Sequence, residues 1–136
     1  MRVILETNVL VSALLTRRTP PSALYDYWRA GRFALISCEQ QLDEIRRVCA
    51  RPFFRSRLRP SKVGRLVNDI RRLALMPEPD QRAEESRDPD DNFLLDLARV
   101  GDADVLVTGD RSGLLELQRH GRTRIVTARV LADALA

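Results

Sequence analysis

Met1-Arg2-Val3-Ile4-Leu5-Glu6-Thr7-Asn8-Val9-Leu10 opens the chain, and its reading decides the fold. Residues 2–6 are a short apolar run that reads as a buried strand. Residues 7–16 then turn helical, with Val9, Leu10, Ala13 and Leu14 on one face. The same alternation repeats along the chain. Pro20, Pro21 and Ser22 open a second helix that runs to about residue 30 and is ended by Gly31. Residues 33–37, Phe-Ala-Leu-Ile-Ser, read as a strand, and a helix follows at about 39–50 with Pro52 just beyond it. Another helix covers about 60–74, and residues 74–77 suggest a short third strand. The polar stretch 78–88 is a loop, and Asp88-Pro89 starts a helix that runs to about Val100. A strand at 104–108, a short helix at about 112–119, a strand at 123–127 and a helix at 128–135 complete the pattern. Strands separated by helices require crossover connections. The expected architecture is therefore α/β, with helices on both faces of a mainly parallel sheet.

A length of 136 residues suits a single domain spanning 1–136. Hydrophobic residues make up 44% and charged residues 31%, a soluble globular balance. No apolar run approaches the roughly 20 residues that span a bilayer. The N-terminus has no charged leader followed by a longer apolar stretch, so cytoplasmic residence is expected. Cys38 and Cys49 are too far apart for a Cys-x-x-Cys site and read as small buried hydrophobes. His120 is the only histidine, which argues against a His-rich zinc site and a Ser-His-Asp triad, and a surface position suits it. Lys and Arg total 23 against 19 acids, and Lys62 is the only lysine. A basic, arginine-rich chain favours anionic partners, nucleic acid first among them.

In open parallel sheets, ligands bind beyond the carboxyl ends of the strands. Glu6, Thr7 and Asn8 follow the first strand, and Gly109 and Asp110 follow the strand at 104–108. Asp88, Asp90 and Asp91 stand at the start of the helix at 89. Each has a plain structural reading: Thr7 or Asn8 as a helix cap, Asp88 as an N-cap before proline, Asp90 and Asp91 as dipole complements, Asp110 as a turn residue. Together they form a cluster of like charges at one sheet edge, which a cation would neutralise. Oxygen ligands without His or Cys point to Mg²⁺ or Mn²⁺. Two such ions, about 3.5–4 Å apart, can activate water and stabilise the leaving oxygen of a phosphodiester.

Three segments, Val3-Ile4-Leu5-Glu6-Thr7-Asn8-Val9-Leu10, Arg87-Asp88-Pro89-Asp90-Asp91-Asn92 and Val107-Thr108-Gly109-Asp110, resemble the signature of PIN-domain ribonucleases. The chain is similar to the VapC-like branch, the small bacterial toxins of toxin–antitoxin pairs. The resemblance covers essentially the whole chain. It implies a three-layer fold with a central parallel sheet of four or five strands. It also implies Mg²⁺- or Mn²⁺-dependent endonuclease activity on RNA, homodimers, and a cognate antitoxin. The acids it implies are Glu6, Glu44, Asp91 and Asp110, with Asp88 as an accessory. Asn8 and Thr108 match polar residues that hold the site in shape. The family normally has Asp at the position of Glu6. That departure favours a rival reading, a catalytically weak or inactive module that binds RNA or protein.

Helical periodicity puts Leu42, Ile45, Val48 and Cys49 on one side, with Glu44 nearer to it than Asp43. An exposed Glu44 paired with Arg47 is an equal alternative. Periodicity does not separate Asp90 from Asp91, and Asp91 is chosen by resemblance. From Arg46 to Arg72 there are ten basic residues and one acid, Asp69. Arg51, Arg55 and Arg57 are candidate RNA phosphate contacts. Phe53 and Phe54, between them, are expected to pack into the core rather than stack on a base. A receiver domain would need a lysine after a late strand, and Lys62 cannot sit there. A haloacid-dehalogenase-type phosphatase would need Asp-x-Asp where Glu6-Thr7-Asn8 stands, and a dinucleotide enzyme a Gly-rich turn.

Overall fold

Strand β1 (Arg2–Leu5) is buried at Val3, Ile4 and Leu5, as an unbroken apolar run demands of a strand covered on both faces. A computed structural model describes residues 1–80, 89–109 and 113–136, with the side chains of residues 89 and 90 also outside the description. The chain continues through α1 (Thr7–Leu15), α2 (Pro20–Arg29), β2 (Ala34–Leu35), α3 (Glu39–Cys49), α4 (Pro52–Arg55) and α5 (Pro60–Leu73). After it come α6 (Pro89–Val100), β3 (Val105–Thr108), α7 (Gly113–Leu117), β4 (Arg119–His120), β5 (Thr123–Thr127) and α8 (Ala128–Leu135).

The five strands lie in the order β2-β1-β3-β5-β4. β2, β1, β3 and β5 are parallel, and the short edge strand β4 runs antiparallel to β5. Because side chains alternate along a strand, each strand feeds two cores. Val3, Leu5 and Val107 join the apolar faces of α1, α2, α3, α5 and α8. Ile4, Ile36, Leu106 and Ile125 meet Phe93, Leu94, Leu97 and Leu114 of α6 and α7. The result is the expected three-layer α/β/α arrangement.

Several local expectations change. The strand at 33–37 shrinks to Ala34–Leu35, and the one at 74–77 to a parallel bridge between Leu75 and Ile36. Leu75 exchanges backbone hydrogen bonds with Leu35 and Ser37, each 2.9 Å, but Pro77 has no N–H to continue the ladder. The short helix stops at Leu117, because Arg119 and His120 form β4 and turn back at Gly121, whose φ is +59°. His120 is accordingly half-buried in a strand rather than on the surface. Finally, Pro52 does not merely follow a helix but begins α4.

Helix α6 sets one wall of the candidate site. Its C-terminal end sits at the start of β1, where Arg2 Nη1 donates to the Gly101 carbonyl at 2.9 Å. A Cβ on Gly101 would stand 2.9 Å from the Leu97 carbonyl oxygen and 3.0 Å from Ile36, so this close approach requires glycine. With its end fixed there and about 1.5 Å of rise per residue, α6 projects its first turn toward the carboxyl rim of the sheet. Cys38 and Cys49 are both buried free thiols, as expected. Among the described residues no helix is long and apolar enough to cross a membrane.

Candidate functional site

The carboxyl ends of β1 and β3 are adjacent, with Leu5 opposite Val107 in register. One residue further along each strand stand Glu6 and Thr108. The Glu6 N–H donates to the Val107 carbonyl at 2.9 Å, which fixes the backbone where β1 gives way to α1. Glu6 is the N-cap residue of α1, and its side chain makes no capping bond. Its carboxylate turns instead toward β3, where Oε2 accepts the hydroxyl of buried Thr108. Glu6 is only 9% exposed, so this polar partner offsets part of its desolvation.

Thr7 is the first residue of α1 rather than its cap. It is 2% exposed and donates its hydroxyl to Oε1 of Glu44 on α3. Glu44 is half-buried whereas Asp43 is exposed, the order that helical periodicity gives. Among the described residues its partner is Thr7, and the alternative pairing with Arg47 is not formed. Two consecutive residues, Glu6 and Thr7, thereby bring an acid of α1's cap and an acid of α3 to the same rim.

A second device fixes α3 against the sheet. Gln41 Nε2 donates to the Leu5 carbonyl at 2.7 Å, and Gln41 Oε1 accepts from Ser37 Oγ at 2.5 Å. Both side chains are fully buried. Neither residue belongs to a motif, and nothing local in the sequence pairs Thr7 with Glu44. A signal existed: Gln41 falls with Ile45 and Val48 at helical spacing, a polar residue on an otherwise apolar stripe.

Asp91 lies in the first turn of α6 and is half-buried. Asn8 is exposed and lines a cleft of about 290 Å³ with Thr108, Gly109, Pro20, Ala128 and Arg129. Thr127, opposite Thr108 in register, caps α8 by accepting from the Val130 N–H at 3.3 Å. Asp88 and Asp110 lie outside the described residues. Among the described residues no three acids, histidines or cysteines come together as a metal-holding group. The donors at the rim are oxygens throughout. Burial pushes the nearby Cys38 thiol above its ordinary pKa, which keeps it protonated and a poor ligand. That chemistry fits a hard divalent cation such as Mg²⁺ or Mn²⁺.

Arg51, Arg55 and Arg57 are all exposed, around α4. Phe54 packs partly against the core, as expected, but Phe53 does not: it is 54% exposed, and its neighbour Arg57 covers it in place of the core.

The chain matches the family described as PIN domain over residues 2–112, a span that runs from β1 past β3 and contains every acid named above. An uncharacterized protein of Methanocaldococcus jannaschii, MJ1680, is 24% identical over 112 residues, which cover 82% of this chain and 72% of that protein. No solved structure matches.

Proposed function

The chain belongs to the PIN-domain family, and from that premise we propose that it is an endoribonuclease dependent on Mg²⁺ or Mn²⁺, the toxin of a toxin–antitoxin pair. The family gives a nuclease-like fold. The observation that carries the finer reading is the pair of hydrogen bonds that turn Glu6 toward Thr108 and Glu44 toward Thr7. Two glutamates turned to one rim repel each other, and a bound cation would relieve that repulsion.

In this reading Glu6, Glu44, Asp91 and Asp110 hold the ion, with Asp88 beside them. These acids would be neutralised by a bound divalent ion, which would supply water activation and stabilisation of the leaving oxygen of the phosphodiester. Thr108 and Thr7 each hold one carboxylate oxygen, so the acids are oriented before substrate arrives. Asn8 lines the adjoining cleft, and Arg129 on its wall offers a cation to a phosphate. Arg51, Arg55 and Arg57 supply further positive charge along the RNA path. The same reading carries a homodimer and a cognate antitoxin protein as partners.

Incubation with structured and unstructured RNA in Mg²⁺, Mn²⁺ or EDTA tests it, with Asp91→Asn and Asp110→Asn as controls. Metal-stimulated cleavage that EDTA and either substitution abolish is the expected result. Cleavage that survives EDTA removes the metal-dependent reading, and no cleavage with either metal removes the enzymatic one. One observation favours a weaker enzyme: a glutamate stands at the rim where the family normally has the shorter aspartate.

A further inference from the structure

The described surface offers one exposed aromatic ring set among arginines. Phe53 is 54% exposed at the second position of α4. The Arg57 guanidinium stands over it, with Cζ 3.8 Å from the ring centroid. That guanidinium is anchored from below: its Nη1 donates to the Phe53 carbonyl at 2.7 Å and to Ser56 Oγ at 3.2 Å. Ser56 Oγ in turn donates to the same carbonyl at 3.1 Å. Phe54 meets Phe53 edge-on, with centroids 5.0 Å apart and planes at 83°, and is itself seated partly in the core. Both planar groups are therefore held in place before any ligand arrives. An aromatic ring left in water costs free energy, and burial would relieve it.

We infer that Phe53 and Arg57 form a stacking platform for an unpaired base of the RNA. The inference rests on the RNA reading above and adds to it a base-binding subsite at α4, outside the acidic rim. A duplex hides its base faces, whereas an unpaired base can lie on a phenyl ring or on a guanidinium plane. The surroundings suit a strand's phosphates: Arg51, Arg55 and Arg59 are all exposed around the platform. Asp69, the one acid between Arg46 and Arg72, is paired to Arg29 at 3.2 Å and to Arg72 at 3.3 Å. Only Ala50 and Arg51 separate α3, which carries Glu44, from α4, which carries Phe53.

The test is fluorescence anisotropy with a labelled unstructured RNA and with a duplex of the same sequence, in EDTA so that no cleavage intervenes. Phe53→Ala should weaken single-strand binding roughly five- to a hundredfold, the range for one stacked base. Duplex affinity and the salt slope should stay unchanged, because stacking releases no counterions. Phe53→Tyr should restore binding, which a merely structural defect would not allow. Equal single-strand affinity for Phe53→Ala and the unaltered protein overturns the platform while leaving the nuclease reading intact. Loss of duplex and single-strand binding in equal measure also overturns it. A change in oligomeric state by sedimentation, with RNA affinity intact, would assign Phe53 to a contact between copies instead. Absence of all RNA binding by the unaltered protein would overturn the platform, and the cleavage assay in Mg²⁺ or Mn²⁺ decides the nuclease reading separately.

Discussion

The Thr108 hydroxyl donates to Oε2 of Glu6, so the last residue of β3 holds the residue that follows β1. The two strands are parallel neighbours in register, and the crossover that joins them carries α1 through α6. One short side-chain contact thus closes 102 residues of chain at the edge where ligands bind in such sheets. Thr108 is 1% exposed and Glu6 9%, so both groups are largely withdrawn from water.

Thr108→Val keeps the shape and removes the donor. A hydrogen bond to a charged group contributes roughly 1.5–3 kcal/mol, and its loss leaves a buried carboxylate oxygen poorly satisfied. Urea denaturation in EDTA should show a loss of this order with an unchanged m-value. Thr108→Ser, which keeps the hydroxyl, should lose less. A Thr108→Val protein as stable as the unaltered one would show that Glu6 turns elsewhere in solution.

Glu6→Asp should raise the rate of RNA cleavage. The Glu6 backbone is fixed by its hydrogen bond to Val107 and by its place as the cap of α1, so it cannot shift to compensate for the extra methylene. The longer side chain therefore moves its carboxylate by about one bond length, against a tolerance of roughly 0.5 Å for catalytic groups. Mg²⁺ is the stricter ion, with oxygens at about 2.0–2.1 Å in octahedral array. The unaltered protein should favour Mn²⁺, and Glu6→Asp should narrow that preference. Equal rates with equal metal dependence would mean that the surroundings have been rebuilt to fit glutamate.

The layers of the fold were legible because apolar period and length differ between strand and helix: Val3-Ile4-Leu5 and Val105–Thr108 can only be buried strands. Arg119 and His120 were not legible as a strand, because a polar pair has no period and only the turn at Gly121 pairs it to β5. At the site, Glu6 followed from its place after the first strand, and Thr108, inside its strand, was named only by the family resemblance. Thr7 pairing with Glu44 was not legible, since it depends on how α3 crosses α1, which no local pattern records. Phe53 was misplaced for a related reason: two adjacent phenylalanines on one short helix point in different directions, and only Phe54 finds the core.

Arg51→Gln with Arg55→Gln should flatten the dependence of RNA affinity on salt. Each phosphate contact to a single strand contributes about −0.7 to the slope of log affinity against log salt. Both side chains are exposed, and the loss should weaken all sequences alike. Arg57→Gln should change the slope less, because its Nη1 is already spent on Phe53 and Ser56. An unchanged slope in the double variant would route the RNA elsewhere.

Asp104 offers a check on the fold that is independent of catalysis. Its Oδ2 accepts the Arg2 backbone N–H at 2.7 Å, and its Oδ1 pairs with Arg122 at 2.5 Å, so one carboxylate ties the starts of β1, β3 and β5. The Arg2 N–H foremost, and then Arg122, hold its pKa below the ordinary carboxylate value, against the opposing pull of desolvation. A carboxyl group whose folded pKa is depressed adds stability above its unfolded pKa, near 3.9 for Asp, and loses it as pH falls through the folded value. Asp104→Asn should therefore be less stable than the unaltered protein at neutral pH. The gap should shrink below about pH 4 and close once both states are protonated. It should also be modest, under about 1 kcal/mol, because the side chain is 35% exposed and water screens its pairing. Denaturant midpoints for the two proteins at pH 7 and pH 3 decide it. A gap that persists unchanged at pH 3 would mean that the charge of Asp104 contributes nothing and that only its shape is needed.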